Sequence, residues 1–150
     1  MNDFYSDTKT KPSHAMLEYA LGRTFGDEQK DEDPTTLELC ERVAHLLGKE
    51  SAVFLPSGTM CNEIAITVQT SPGDEIICDR SSHIINFEGG APAAMSGVMI
   101  HPLDGKYGQF TKEDVRQALR PESRYMPISR MLCAEQTANL GGGAVWPLEK

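Results

Sequence analysis

Ser57, Gly58 and Thr59 stand between an apolar run at 52–55 and a segment that sets Met60, Ile64 and Ile66 among polar residues. Pro56 stops the run, so the stretch reads as a buried strand, a tight turn and the start of a helix. The first turn of a helix carries N–H groups with no intrahelical acceptor and the positive end of the helix dipole. With two hydroxyls beside it and a glycine that keeps no side chain between anion and backbone, this junction can cradle a phosphate. The same hydroxyls can instead simply cap the helix, and the stretch alone weighs the two readings equally. Walker A chemistry is excluded because no Gly-Lys-Ser/Thr follows. Further on, Asp79-Arg-Ser-Ser-His83 and Gln136-Thr-Ala-Asn139 each follow an apolar run. His83 alone is as readily a satisfied structural histidine as a functional one. With no second histidine or cysteine at ligand spacing, a metal site is not expected.

The elements that must position these residues alternate in type. A helix is expected from Ser13, with Met16, Leu17, Ala20 and Leu21 on one face and Gly22 ending it. Residues 26–33 form an acidic loop that reads as solvated linker. Asp33 then caps a helix with Pro34 in its first position, an apolar stripe of Leu37, Cys40, Val43, Ala44 and Leu47, and Gly48 at its end. His45 falls on its polar side. After the central junction, 71–74 is a turn, 75–78 a strand and 98–102 another. Thr111 caps a helix over 112–119, with Asp114 at capping-box spacing. A buried strand spans 130–135, Gly141 to Gly143 are loop, and 147–150 reads as the opening turn of a further helix. Strands alternating with helices imply an α/β layered fold on a mostly parallel sheet, and the loops at the strands' carboxyl ends are where such sheets bind ligands.

The 150 residues carry a net charge of −8. That balance, with no basic cluster, argues against nucleic acid or an anionic membrane as partner. No apolar run is long enough to span a bilayer, and the polar start Met1-Asn-Asp3 is not a signal peptide. Cys40, Cys61, Cys78 and Cys133 are scattered, with no Cys-x-x-Cys pair. They read as small buried residues of a reducing compartment, with cytoplasm expected.

One ordered set of motifs is more specific than any of these features. Ser6-Asp-Thr8, Asp33-Pro-Thr35, Leu47-Gly-Lys49, Phe54-Leu-Pro-Ser-Gly-Thr-Met60-x-Asn62, His83 with Phe87-Glu-Gly-Gly90, and Glu135-Gln-Thr-x-Asn139 follow one another in the chain. Together they closely resemble the amino-terminal half of the threonine aldolases, pyridoxal-phosphate enzymes grouped with the β-eliminating lyases. The resemblance runs from Asp3 to Lys150. It implies a three-layer, mostly parallel sheet like the large domain of the aspartate aminotransferase fold. It further implies that 1–150 is a single, incomplete domain of that kind, with 1–12 as an amino-terminal arm. By resemblance, Ser57, Gly58 and Thr59 bind the 5′-phosphate, His83 stacks on the pyridine ring near the scissile bond, and Ser6 holds the substrate carboxylate. Glu88 supports His83 and the cofactor wall. The implied reaction is cleavage of a β-hydroxy amino acid to glycine and an aldehyde, in a homo-oligomer (a dimer of dimers). The alternatives are a β-eliminating lyase on aromatic amino acids, and a non-catalytic fragment or partner subunit.

The departures from the family pattern carry expectations of their own. Tyr5 replaces the arginine that usually precedes Ser-Asp-Thr, and 26–31 lacks a family aromatic. Ala138 stands where a histidine near the substrate hydroxyl is usual, which favours a bulkier, aryl β-substituent such as that of phenylserine. The family's cofactor-anchoring lysine lies downstream of the matched region. None of Lys9, Lys11, Lys30, Lys49, Lys106, Lys112 and Lys150 occupies its context. The 150 residues alone are therefore expected to be inactive.

Overall fold

The computed structural model of the protein describes residues 7–148. Ser6 and Tyr5 lie outside the described residues. The chain packs as two compact units, one running to Phe54 and the other beginning at Leu55.

In the first unit, α1 (His14–Leu21) begins at Ser13, whose Oγ accepts the Met16 N–H at 3.3 Å, and ends at Gly22. Asp27 caps a single 3-10 turn, Glu28–Lys30, within the acidic loop. The α2 helix (Pro34–Leu47) is fixed at both ends by the residues the sequence marks. Asp33 Oδ1 accepts the Thr36 N–H at 2.8 Å and its Oδ2 the Gly26 N–H at 3.1 Å. Gly48 takes the left-handed conformation (φ 62°), which glycine adopts without steric cost, and so closes the helix. His45 is exposed, as expected. Of the residues in α1 and α2 only Ala44 is buried, whereas Leu21, Leu46 and Leu47 are exposed. The strand expected at 52–55 is not formed, and Val53 and Phe54 are exposed. An apolar run becomes a strand only where another strand offers its edge, and no described strand pairs with this one.

The second unit is a parallel α/β sheet. Its elements are α3 (Gly58–Gln69), β1 (Glu75–Asp79), α4 (His83–Asn86), α5 (Ala91–Ser96), β2 (Met99–Leu103), α6 (Lys112–Ala118) and β3 (Ser129–Cys133). The strand order is β2-β1-β3, with both neighbours parallel to β1. Parallel neighbours need long crossovers, and α4, α5 and α6 lie in them. The central strand is buried throughout. Alternation along it sends Ile76 and Cys78 to a core with Ile66, Ile84 and Val98, and Ile77 to the other face with Leu103, Phe110 and Ala118. Helical residues therefore cover both faces, giving three layers. Each fully buried isoleucine here contributes about 1.5–3 kcal/mol.

The capping box at the start of α6 forms as its spacing requires, with Thr111 and Asp114 satisfying each other's backbone N–H groups. Other details differ from the sequence reading. The third strand ends at Cys133, two residues early, because the Glu135 side chain turns to cap backbone N–H groups beyond the ladder. The short helices α4 and α5 were not anticipated. No helix starts at Pro147 or Leu148. Instead, Trp146 sits edge-on to Phe110 with ring centroids 4.8 Å apart. Among the described residues no helix is long and apolar enough to cross a membrane.

Candidate active site

Ser57 begins α3 in extended conformation (φ −147°, ψ 146°), and its Oγ accepts the Met60 N–H at 3.1 Å. Capping is thus part of its role, and it leaves the first N–H groups of the helix without intrahelical acceptors. Ser57 and Gly58 are exposed and Thr59 is half-buried. A Cβ added to Gly58 would meet no atom within 4 Å, and its φ is not left-handed. Neither backbone conformation nor packing demands glycine there.

The α4 helix begins with His83, just past the carboxyl end of β1. Its backbone N–H donates to Glu135 Oε2 at 2.6 Å, and the other oxygen of that carboxylate accepts the Asn139 N–H at 2.8 Å. One side chain from the end of β3 thus pins the loops after two parallel strands. The imidazole Nδ1 lies 2.8 Å from Glu88 Oε1. That same oxygen accepts Asn62 Nδ2 at 2.6 Å, and Asn62 is a residue of α3, four positions after Gly58. The Glu88 side chain is fully buried, while that of His83 is 43% exposed and inclined against Phe87 at 5.4 Å between ring centroids. A cleft of about 510 Å³ opens beside it, lined by Asn62, Ser82, His83, Cys133, Glu135 and neighbouring apolar residues. Among the described residues no lysine lines it.

Of the site residues read from sequence, the α3 amino terminus carries Ser57, Gly58 and Thr59, and Glu88 ties His83 to the same helix through Asn62. Ser6 lies outside the described residues. Ala138 is buried, and its methyl is packed close to Gly108 and Gly141. Its small side chain therefore leaves no open volume of its own. Two residues gained roles that sequence reasoning had not given them. Asn62 appeared there only as a motif letter, and Glu135 as a motif letter at the end of a strand. The signal for Glu135 was a carboxylate directly after an apolar strand, where helix and loop N–H groups gather.

The beta-eliminating lyase family model matches residues 3–150. The low specificity L-threonine aldolase of Escherichia coli K12 is 35% identical over 150 residues, covering 99% of this chain and 44% of that protein. The aldolase vrtJ of Penicillium aethiopicum is 38% identical over 152 residues, covering 99% of this chain and 38% of its own length. The chain thus spans less than half the length of the curated relatives it matches. Among solved structures, the threonine aldolase of Leishmania major superposes with a TM-score of 0.54 at 25% identity, over 64% of this chain and 30% of that one. With the parallel three-layer sheet, these likenesses agree on one assignment: the chain belongs to the beta-eliminating lyase family.

Proposed function

We propose that this chain supplies the phosphate-binding and imidazole half of a pyridoxal-phosphate-dependent lyase that cleaves the Cα–Cβ bond of a β-hydroxy amino acid, giving glycine and an aldehyde. The observation that carries the reading is the chain of hydrogen bonds from His83 through Glu88 to Asn62, which couples the imidazole to the helix opened by Ser57 and Gly58. The residues fit the cofactor's phosphate. The missing Cβ at Gly58 has no explanation in packing, and the space it leaves open adjoins the helix N–H groups. Ser57, Gly58 and Thr59 would hold the phosphate, and His83 would lie against the ring. Ser6 would hold the substrate carboxylate. The cofactor supplies the electron sink for the carbanion left by aldehyde loss.

The protein's part is orientation and proton handling. With Nδ1 of His83 engaged by Glu88, Nε2 is the nitrogen left to take the proton of the substrate β-hydroxyl. Glu135 holds the His83 backbone and so sets where that nitrogen stands. The names of the relatives point to threonine as one substrate. A preference for aryl side chains rested on space at Ala138, and the close packing of its methyl gives that preference no support.

The test is to incubate the protein at its natural length with pyridoxal phosphate and, separately, threonine and phenylserine. Glycine and the matching aldehyde are expected from a β-hydroxy amino acid. Release of ammonia and a keto acid instead, with no glycine, would replace this reading with β-elimination. We further propose self-association, since Leu21, Phe25, Leu46 and Leu47 are exposed in the first unit. Sedimentation as a monomer would refute that.

A further inference from the structure

The carboxyl groups of Glu63 and Glu88 face one another. Glu63 follows Asn62 on α3, and the network above does not use it. Both Glu63 oxygens and Oε2 of Glu88 are sealed from solvent with no hydrogen-bond donor to serve them. Three such oxygens in one place are costly unless a proton joins them, and two carboxylates sharing a site do not both ionise. Oε1 of Glu88 already accepts from Asn62 and His83. The proton therefore belongs on Glu63, with its O–H donating to Oε2 of Glu88.

We propose that Glu63 is a positioning residue: as the neutral acid it donates to Oε2 of Glu88, locks that carboxylate against Asn62 and His83, and thereby keeps His83 in the tautomer with Nδ1 protonated and Nε2 open. The inference rests on the reading of His83 as the residue that meets cofactor and substrate. The groups gathered around the pair are Glu63 from α3, Glu88 from the turn before α5, His83 from α4, and Glu135 from beyond β3 on the His83 backbone. Burial, then the hydrogen bond with Glu88, then the Glu88 charge raise the Glu63 pKa above its ordinary 4.5. Between 4.5 and the raised value, folded Glu63 thus keeps a proton that the unfolded chain has released. Its contribution to stability falls as pH rises from 4.5 through the raised value.

The test compares Glu63→Gln, whose amide can donate to Oε2 without titrating, with Glu63→Leu, which cannot donate. ¹⁵N NMR of His83 in the intact, cofactor-free protein reads the tautomer directly. The wild type should show Nδ1 protonated and Nε2 bare, Glu63→Gln the same, and Glu63→Leu a mixture. In the loaded enzyme, kcat should fall about tenfold in Glu63→Leu, the equivalent of one hydrogen bond to a charged group, and hold near wild type in Glu63→Gln. An unchanged tautomer in Glu63→Leu, or equal disturbance in both variants, overturns the proposal. Should Glu63→Leu not fold, infrared spectroscopy decides on the other two proteins. A carboxylic-acid carbonyl band that titrates above the ordinary carboxylate range and disappears in Glu63→Gln is expected, and its absence from the wild type overturns the proposal. Tautomer and band are read without cofactor, so they stand or fall whether or not aldol cleavage is observed.

Discussion

Oε1 of Glu88 lies 2.8 Å from Nδ1 of His83, a fully buried carboxylate holding a half-exposed imidazole. The arrangement divides labour within one pair. Burial fixes the acceptor, and the exposed ring is left free on its other side for a ligand. Deleting the buried partner is therefore worse than altering the exposed one. Glu88→Ala should cost about 1–3 kcal/mol, because Asn62 Nδ2 and His83 Nδ1 both lose their acceptor. Glu88→Gln keeps an acceptor and should cost much less. Denaturant midpoints of the two variants check this, and equal losses would show that keeping an acceptor is not what preserves the site.

Gly58 separates the ligand reading from the helix-cap reading. Its added Cβ meets nothing in the fold, and alanine reduces the freedom of the unfolded chain. Gly58→Ala should leave stability unchanged or raise it by up to about 1 kcal/mol. It should also weaken pyridoxal phosphate binding about tenfold or more, roughly 1.4 kcal/mol, since the methyl occupies the anion's approach. Ser57→Ala should behave differently and lose about 1 kcal/mol of stability with its cap. A Gly58→Ala protein that binds cofactor as well as wild type would return the junction to simple capping.

The sequence was most legible where local chemistry decides the structure. Asp33, Pro34 and Gly48 mark α2 to the residue because cap and left-handed end are properties of single residues. Thr111 and Asp114 do the same for the start of α6. The apolar runs at 75–78 and 98–102 became strands within a residue of their expected bounds, because each found a parallel neighbour. The equally apolar 52–55 did not, since strand formation depends on a partner edge that the run itself does not encode. The Ser-Gly-Thr junction and His83 were visible as residue types. The resemblance implied that Glu88 supports His83, but the continuation to α3 was not visible, because it passes through Asn62, 26 residues from Glu88 in sequence. Glu63 is one of the polar residues set among Met60, Ile64 and Ile66, and only its distant neighbour in the fold makes it unusual.

At the opposite end of β1, Glu75 is fully buried and paired with Arg120 through Nε at 2.8 Å and Nη2 at 2.7 Å, while Ser129 Oγ donates to its second oxygen at 3.1 Å. Removing only the cation would strand a buried charge. Arg120→Ala should destabilise the second unit by about 3 kcal/mol or more, whereas exchanging both partners for apolar residues of similar volume should be far milder. Thermal unfolding of the single and double variants measures the difference. Additive losses would mean that the pair does not act as a unit.

Cys78 and Cys133 are register partners on β1 and β3. Burial, with a smaller effect from Cys133, pushes the Cys78 thiol up to about 12, and burial likewise raises that of Cys133. Cys61 is exposed. Thiol reagents at neutral pH should label Cys61 first and leave Cys78 untouched until the protein unfolds. The pH dependence has a definite sign. Above pH 9 the unfolded chain releases the Cys78 proton while the folded chain keeps it, so stability should fall from pH 9 towards about 12. Cys78→Ala should remove that part of the slope. Early labelling of Cys78 in the native protein would contradict the buried register.

Residues 1–150 by themselves should bind cofactor weakly and turn nothing over. The α3 amino terminus and the imidazole offer one anion site and one ring contact, on the order of 4–6 kcal/mol, or a Kd of roughly millimolar to tens of micromolar. Among the described residues no lysine lines the cleft beside His83, so none of them offers an amine there to hold the cofactor covalently. Borohydride treatment in the presence of pyridoxal phosphate should therefore label no single lysine, and Ser57→Ala with Thr59→Ala should weaken what binding there is. Steady turnover of threonine or phenylserine by these 150 residues would show that one of the seven lysines reaches the site, and the division of the active site proposed above would have to be redrawn.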